Sequence, residues 1–153
     1  MNANAFRHFY NYHFAENRKI WEHVALLSFE QFTQPVNYSH GSVRDQIIHL
    51  IDAEQTWFCE LRYVMPLDPL PSTDSDDRDA ILAYWDTVEQ NIRAYLAELR
   101  DDMLFTKPIK YPEEDKDLIV WQVLLHVANH ATDHRAQLLR VLHDLGVETK
   151  YQD

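Results

Sequence analysis

Two glycines among 153 residues leave little material for a turn-rich fold. All-β chains reverse direction often and draw on glycine for the positive-φ positions of their turns. A chain with only Gly41 and Gly146 must place its residues in a few long elements, and its six prolines mark where those elements stop. With 46% hydrophobic residues, including 4 Trp, 8 Tyr and 7 Phe, it can fill the core of one domain spanning 1–153.

The apolar periodicity predicts four helices. The first runs from about Asn4 to Phe32 and stops before Pro35. The second opens at Ser42, where Ser42 and Asp45 make a capping box with Asp in place of Glu, and continues to about Tyr63. Pro66, Pro69 and Pro71 then forbid helix. The third begins after the Ser/Asp-rich stretch 72–77, which offers several N-caps, and carries AILAYWDTVEQNIRAYLAEL to about Arg100. MLFTKPIKYPEEDKD reads as irregular, with a short extended piece at 104–111. The fourth runs from about Leu118 to Leu145, with Gly146 just past its end. Helices of roughly 20 to 30 residues span roughly 30 to 45 Å, so the expected architecture is an all-α four-helix bundle.

Charge and composition exclude several roles. A formal net charge of -11 disfavours nucleic acid or an anionic membrane as the main partner. No run approaches the roughly 18 apolar residues of a membrane span, and the N-terminal MNANAFRHFYNYHF has no apolar signal region. Cys59 is the one cysteine, so no internal disulfide forms. The expectation is a soluble, cytoplasmic protein.

The fourth helix carries the chemistry. Val120, Val123, Val127, His130, His134, Leu138, Val141 and Leu145 recur at steps of three and four as one stripe, which turns His130 and His134 toward the bundle interior. Side chains at i and i+4 have Cβ atoms about 6 Å apart and lean toward one point, as in the helical zinc motif H-E-x-x-H. Two imidazoles alone hold a metal poorly, so a third ligand is expected from a facing helix. His49, on the second-helix row Asp45, His49, Ala53, Trp57, is the candidate; Ala53 leaves space beside the ring and Trp57 can wall it. A lone histidine on such a face is more often a boundary residue with a hydrogen-bond partner. The His130/His134 pair weighs more, because two close buried imidazoles resist protonation and need partners, and one ion answers both needs. His126 rotates off the face and reads as a supporting residue.

The same spacings exclude other sites. H-E-x-x-H itself is absent, since 127 is Val and 131 is Ala. No Glu precedes a His by three residues and no His precedes a Glu by four, so ferritin-like and haemerythrin-like di-iron sets are missing. His143-Asp144 sits near the helix end without further ligands.

Three stretches together resemble one family. GSVRDQIIHLIDAEQTWF (Gly41 to Phe58), HVANHATDHRAQ (126–137) and NYHFAENRKIW (Asn11 to Trp21) are similar to the second, fourth and first helices of the DinB-like (damage-inducible) family. Ala131 and Ala136 stand where that family often has Gly. The resemblance implies a bundle of up-down-down-up topology, frequently a homodimer, with one divalent ion, zinc or nickel, on His49, His130 and His134. It also implies kinship with thiol-dependent transferases and isomerases.

Three neutral imidazoles leave an open position at which a metal can activate water or hold a thiol as thiolate. Hydrolysis wants a carboxylate base. Asp52, one turn after His49, and Asp133, about 100° round the helix from His134, are the candidates, though both can simply face water. Arg135 can attract an anionic substrate, or cover helix surface or join an ion pair. Trp57, Tyr12 and His13 can line the pocket or belong to the core, and Cys59 reads as a small buried hydrophobe. The leading expectation is a thiol-dependent S-transferase acting on small electrophiles with a low-molecular-weight thiol. A metal-dependent hydrolase and a non-enzymatic metal- or ligand-binding protein are the alternatives.

Overall fold

The computed structural model describes residues 1–71 and 76–150. Its α-helices are α1 (Ala3–Val24), α2 (Phe29–Thr33), α3 (Val43–Arg62), α4 (Arg78–Glu98) and α5 (Val120–Asp144). Four are long, and no strand forms among the described residues.

Local chemistry sets the boundaries. At α3 the Ser42 side chain accepts from Asp45 N at 3.1 Å and Asp45 Oδ2 accepts from Ser42 N at 3.3 Å, the reciprocal pair expected of a capping box. Asp77 caps α4 by accepting from Asp79 N; residues 72–75 of the expected capping stretch lie outside the described residues. At the end of α5, Gly146 adopts φ +84°. Gly146 N then donates to His143 O and Val147 N to Leu142 O, a Schellman closure that uses glycine's tolerance of the left-handed region.

Two expectations need correcting. The first helix does not run unbroken to Phe32. Its last turn tightens through Leu26 N to His23 O and Leu27 N to Val24 O. Ser28 then starts α2, accepting from Gln31 N while Gln31 Oε1 accepts from Ser28 N. This break turns Leu27 into the core. The extended piece expected at 104–111 begins later and pairs with no strand: residues 104 and 105 are helical, and Thr106 is the first with extended dihedrals. Asp101–Phe105 is a 3-10 helix, followed by irregular chain. With no neighbouring strand to pair with, the backbone satisfies itself locally, Met103 N on Arg100 O and Thr106 N on Met103 O.

The contacts give the topology. α1 meets α5 with like ends together, since Tyr10 Oη donates to Leu124 O and Lys150 N donates to His23 Nε2. α1 meets α4 antiparallel, through Arg7 on the carbonyls of Leu96 and Leu99 and Arg18 on Glu89. α3 runs alongside α4, with Tyr84 reaching Asp52 and Gln55, and against α5, with His49 beside His134 and Trp57 beside His126. This is up-down-down-up. Adjacent parallel helices need a crossover along the bundle's length, which the proline-bearing segment between α3 and α4 supplies. No helix is long and apolar enough to cross a membrane among the described residues.

Candidate metal centre

One end of the α3/α5 seam gathers imidazoles. His134 is buried, at 6% exposure, because it lies on the apolar stripe of α5. His130, one turn earlier, is half-buried, and its Nε2 lies 3.1 Å from Nε2 of His134. His49 faces this pair from α3, with ring centroids 4.7 Å from His134 and 5.3 Å from His130. These are the three ring positions that the helical spacing indicates.

A fourth ring joins them. His40, in the loop that leads into α3, stacks on His49 with centroids 3.6 Å apart and planes 16° from parallel. It also lies 5.2 Å from His134. The set whose ring nitrogens all fall within 4.8 Å of one another is His40, His49 and His134, while His130 meets the cluster through its contact with His134. Sequence periodicity misses His40 because a loop residue has no helical phase. The one available signal is its place two residues before the Ser42 cap, at the same end of the bundle as His49.

Three of the rings, His49, His130 and His134, are disfavoured in their charged form. Burial, and then the charges of His40, His134 and His130, push His49 down from 6.5 to about 4. His130 is lowered by burial and then by His134 and His126, with Glu54 and Asp133 pulling the other way. Burial and then His40 lower His134. Neutral imidazoles are the form that ligates metal. His49 Nε2 is buried without a hydrogen bond. At metal–nitrogen distances of about 2.0–2.1 Å, tetrahedral ligation sets two nitrogens roughly 3.3 Å apart. The 3.1 Å between His130 and His134 fits two nitrogens sharing one ion. Donor chemistry, an orphaned nitrogen and spacing all suit a divalent metal.

The remaining candidates are placed elsewhere. His126 is exposed and packs edge-on against Trp57 at 4.9 Å, with its ring centroid 6.1 Å from that of His130. Asp52 turns toward α4, where it accepts from Tyr84 Oη at 3.0 Å, and burial raises its carboxyl. Asp133 stays on the outer face, bonded to Gln137 Nε2 at 2.8 Å. Tyr12 is 43% exposed. Cys59 lies ten residues along α3 from His49, about 15 Å at the helical rise, and burial raises its thiol.

Arg135 does not cover helix surface; it is 2% exposed. It donates to Asn17 Oδ1 at 2.9 Å, Thr132 Oγ1 at 3.0 Å and His13 Nδ1 at 3.3 Å. His13 Nε2 and Asn17 Nδ2 in turn donate to Glu54 Oε1 at 2.9 and 3.0 Å. A buried guanidinium needs such partners, and this network ties α1, α3 and α5 together beneath the histidines. His13 is thus a core residue. No apolar period reveals the network, because its members occupy core positions with polar side chains.

A family model described as the DinB family matches residues 1–153. No curated protein matches the chain.

Proposed function

The chain belongs to the DinB family, and on that premise we propose that it is a metal-dependent S-transferase that joins a low-molecular-weight thiol to a small electrophile. The supporting observation is the make-up of the cluster, which is imidazole alone. Among the described residues no carboxylate hydrogen-bonds to His40, His49, His130 or His134; Asp52 and Asp133 are engaged by Tyr84 and Gln137, and Glu54 bonds His13 and Asn17 through one oxygen and keeps its other buried without a partner. Activation of water by proton transfer calls for a positioned base. Thiol activation does not, which ranks it first.

His49, His130 and His134 would hold the ion, since all three project from long helices whose packing fixes them. Imidazole donors suit zinc or nickel. When bound, a divalent ion with neutral ligands keeps its full charge and holds a coordinated thiol deprotonated near neutral pH. Trp57 and His126 wall the approach, and the thiol comes as a cosubstrate because Cys59 is remote. The sulfur bonds to the electrophilic carbon as the leaving group departs with its electron pair, and the thiol proton passes to solvent. We further propose that the chain works as a homodimer.

The test incubates metal-loaded protein with a chromogenic electrophile and a panel of cellular thiols. Thiol-dependent turnover that vanishes in His130→Ala and survives in Cys59→Ala is expected. Ester or amide hydrolysis without thiol would assign a hydrolase instead, and no turnover in either assay would assign a binding protein.

A further inference from the structure

The loop that carries His40 is built to hold its imidazole at the cluster. Its two neighbours both take left-handed backbone, Ser39 at φ +53° and Gly41 at φ +92°. A Cβ at Gly41 would meet Asp45 Oδ2 at 3.3 Å, so both the dihedral and the space favour glycine there. A serine in the left-handed region is sparsely populated and persists where its surroundings dictate it. Those surroundings are side chains from both metal-site helices. Gln46 of α3, fully buried, donates through Nε2 to Gly41 O at 3.1 Å. Ser39 Oγ donates to Gln137 Oε1 of α5. His40 is therefore tethered on each side, while its own ring is exposed and rests face-on against His49.

We propose that His40 is a fourth, displaceable ligand, which occupies the open position of the metal centre in the absence of substrate and leaves to admit it. The proposal rests on the metal-site reading above and adds how access to that site is controlled. Two features separate His40 from the other rings, and a third places it at the site. It sits on a loop, so rotation of its side chain does not require a helix to move. It is exposed, so withdrawing it uncovers little apolar surface. It lies close enough to His49 and His134 for its nitrogen to join theirs within 4.8 Å. The three helical histidines keep the ion, and the loop histidine sets how readily a fourth group competes for it. A site closed in this way binds its thiol less tightly by the fraction of time it stands open.

Cobalt(II) reports its ligand set directly, because its visible ligand-field bands shift in position and strength when an imidazole is exchanged for water. The full chain, stripped with chelator, is titrated with cobalt(II) chloride as wild type, His40→Ala and Gly41→Ala. Wild type is expected to give the spectrum of a four-nitrogen tetrahedral site. His40→Ala should still bind one cobalt, with visible bands shifted from those of wild type because water replaces an imidazole, and added imidazole should restore the wild-type spectrum. Titration of each cobalt protein with 2-mercaptoethanol should raise the sulfur-to-cobalt charge-transfer band at about tenfold lower thiol in His40→Ala than in wild type. Gly41→Ala, which keeps the ring but strains the loop, should fall between them. Superimposable spectra and equal thiol titrations for wild type and His40→Ala would overturn the proposal while leaving the metal site standing. Failure of wild type to bind cobalt at all would overturn the metal-site reading and this proposal with it.

Discussion

His49 shows how one residue's surroundings set its chemistry. An exposed imidazole titrates at 6.5; here burial and three neighbouring rings bring it to about 4. In the metal-free protein this shift makes stability depend on pH. The unfolded chain takes up its proton near 6.5 and the folded chain only near 4, so between those values the unfolded state binds more protons. Stability is therefore lost as pH falls through that window, with His130 and His134 adding in the same direction. Asp52, raised by burial, acts the opposite way. Melting temperatures of chelator-treated protein should decline from pH 6.5 toward 4, and His49→Gln should flatten the decline. A flat wild-type profile would contradict the shift. For the loaded protein, His49→Ala, His130→Ala and His134→Ala should each remove most of the metal, since two remaining helical ligands hold it poorly. His126→Ala should remove less, because that ring packs on Trp57 at 4.9 Å. Elemental analysis decides, and full metal content in His49→Ala would rule out a site spanning α3 and α5.

At the scale of elements, the entry into α3 serves two purposes. The Ser42–Asp45 box fixes where the helix begins, and so the phase at which His49 emerges two turns later. It also closes the loop that carries His40. Ser42 is buried, at 1% exposure, so its loss is not repaired by water. Ser42→Ala should cost about 1 kcal/mol, the usual value of an N-cap, and lower the melting temperature by roughly 2–4 °C for a chain of this size. Metal affinity should fall with it. A variant that melts like wild type would show that Asp45 and Gln46 alone hold the turn. The Ser42 box and the Gly146 closure were both legible in sequence, because each is a local signal written in a few residues. The break at Ser28 was less so. Its capping box, Ser28 with Gln31, lies inside an apolar pattern that continues smoothly to Phe32, and the pattern favoured one long helix.

At the scale of the whole molecule, the proposed pairing of two chains predicts a mass of about 36 kDa in light scattering at micromolar concentration, twice the chain's 18.2 kDa. A mass near that of one chain would reject it. The arrangement of helices, by contrast, follows from this chain alone. Few glycines, prolines between the apolar stretches, and stripes at helical spacing determined that the fold is helical and roughly where the long helices lie. The i, i+4 histidines on the stripe of α5 determined that two imidazoles face inward together, and the row on α3 offered His49 as a third. Such features depend only on the 3.6-residue period, so they can be read along the chain. Two others depend on which elements meet. His40 has no helical phase, and it reaches His49 because loop and helix fold back at one end of the bundle. Arg135, Glu54, Asn17 and His13 come from three helices, and no spacing along one of them announces a partner on another. Packing chose those neighbours, since a buried guanidinium and carboxylate are tolerable only where polar partners from other elements surround them.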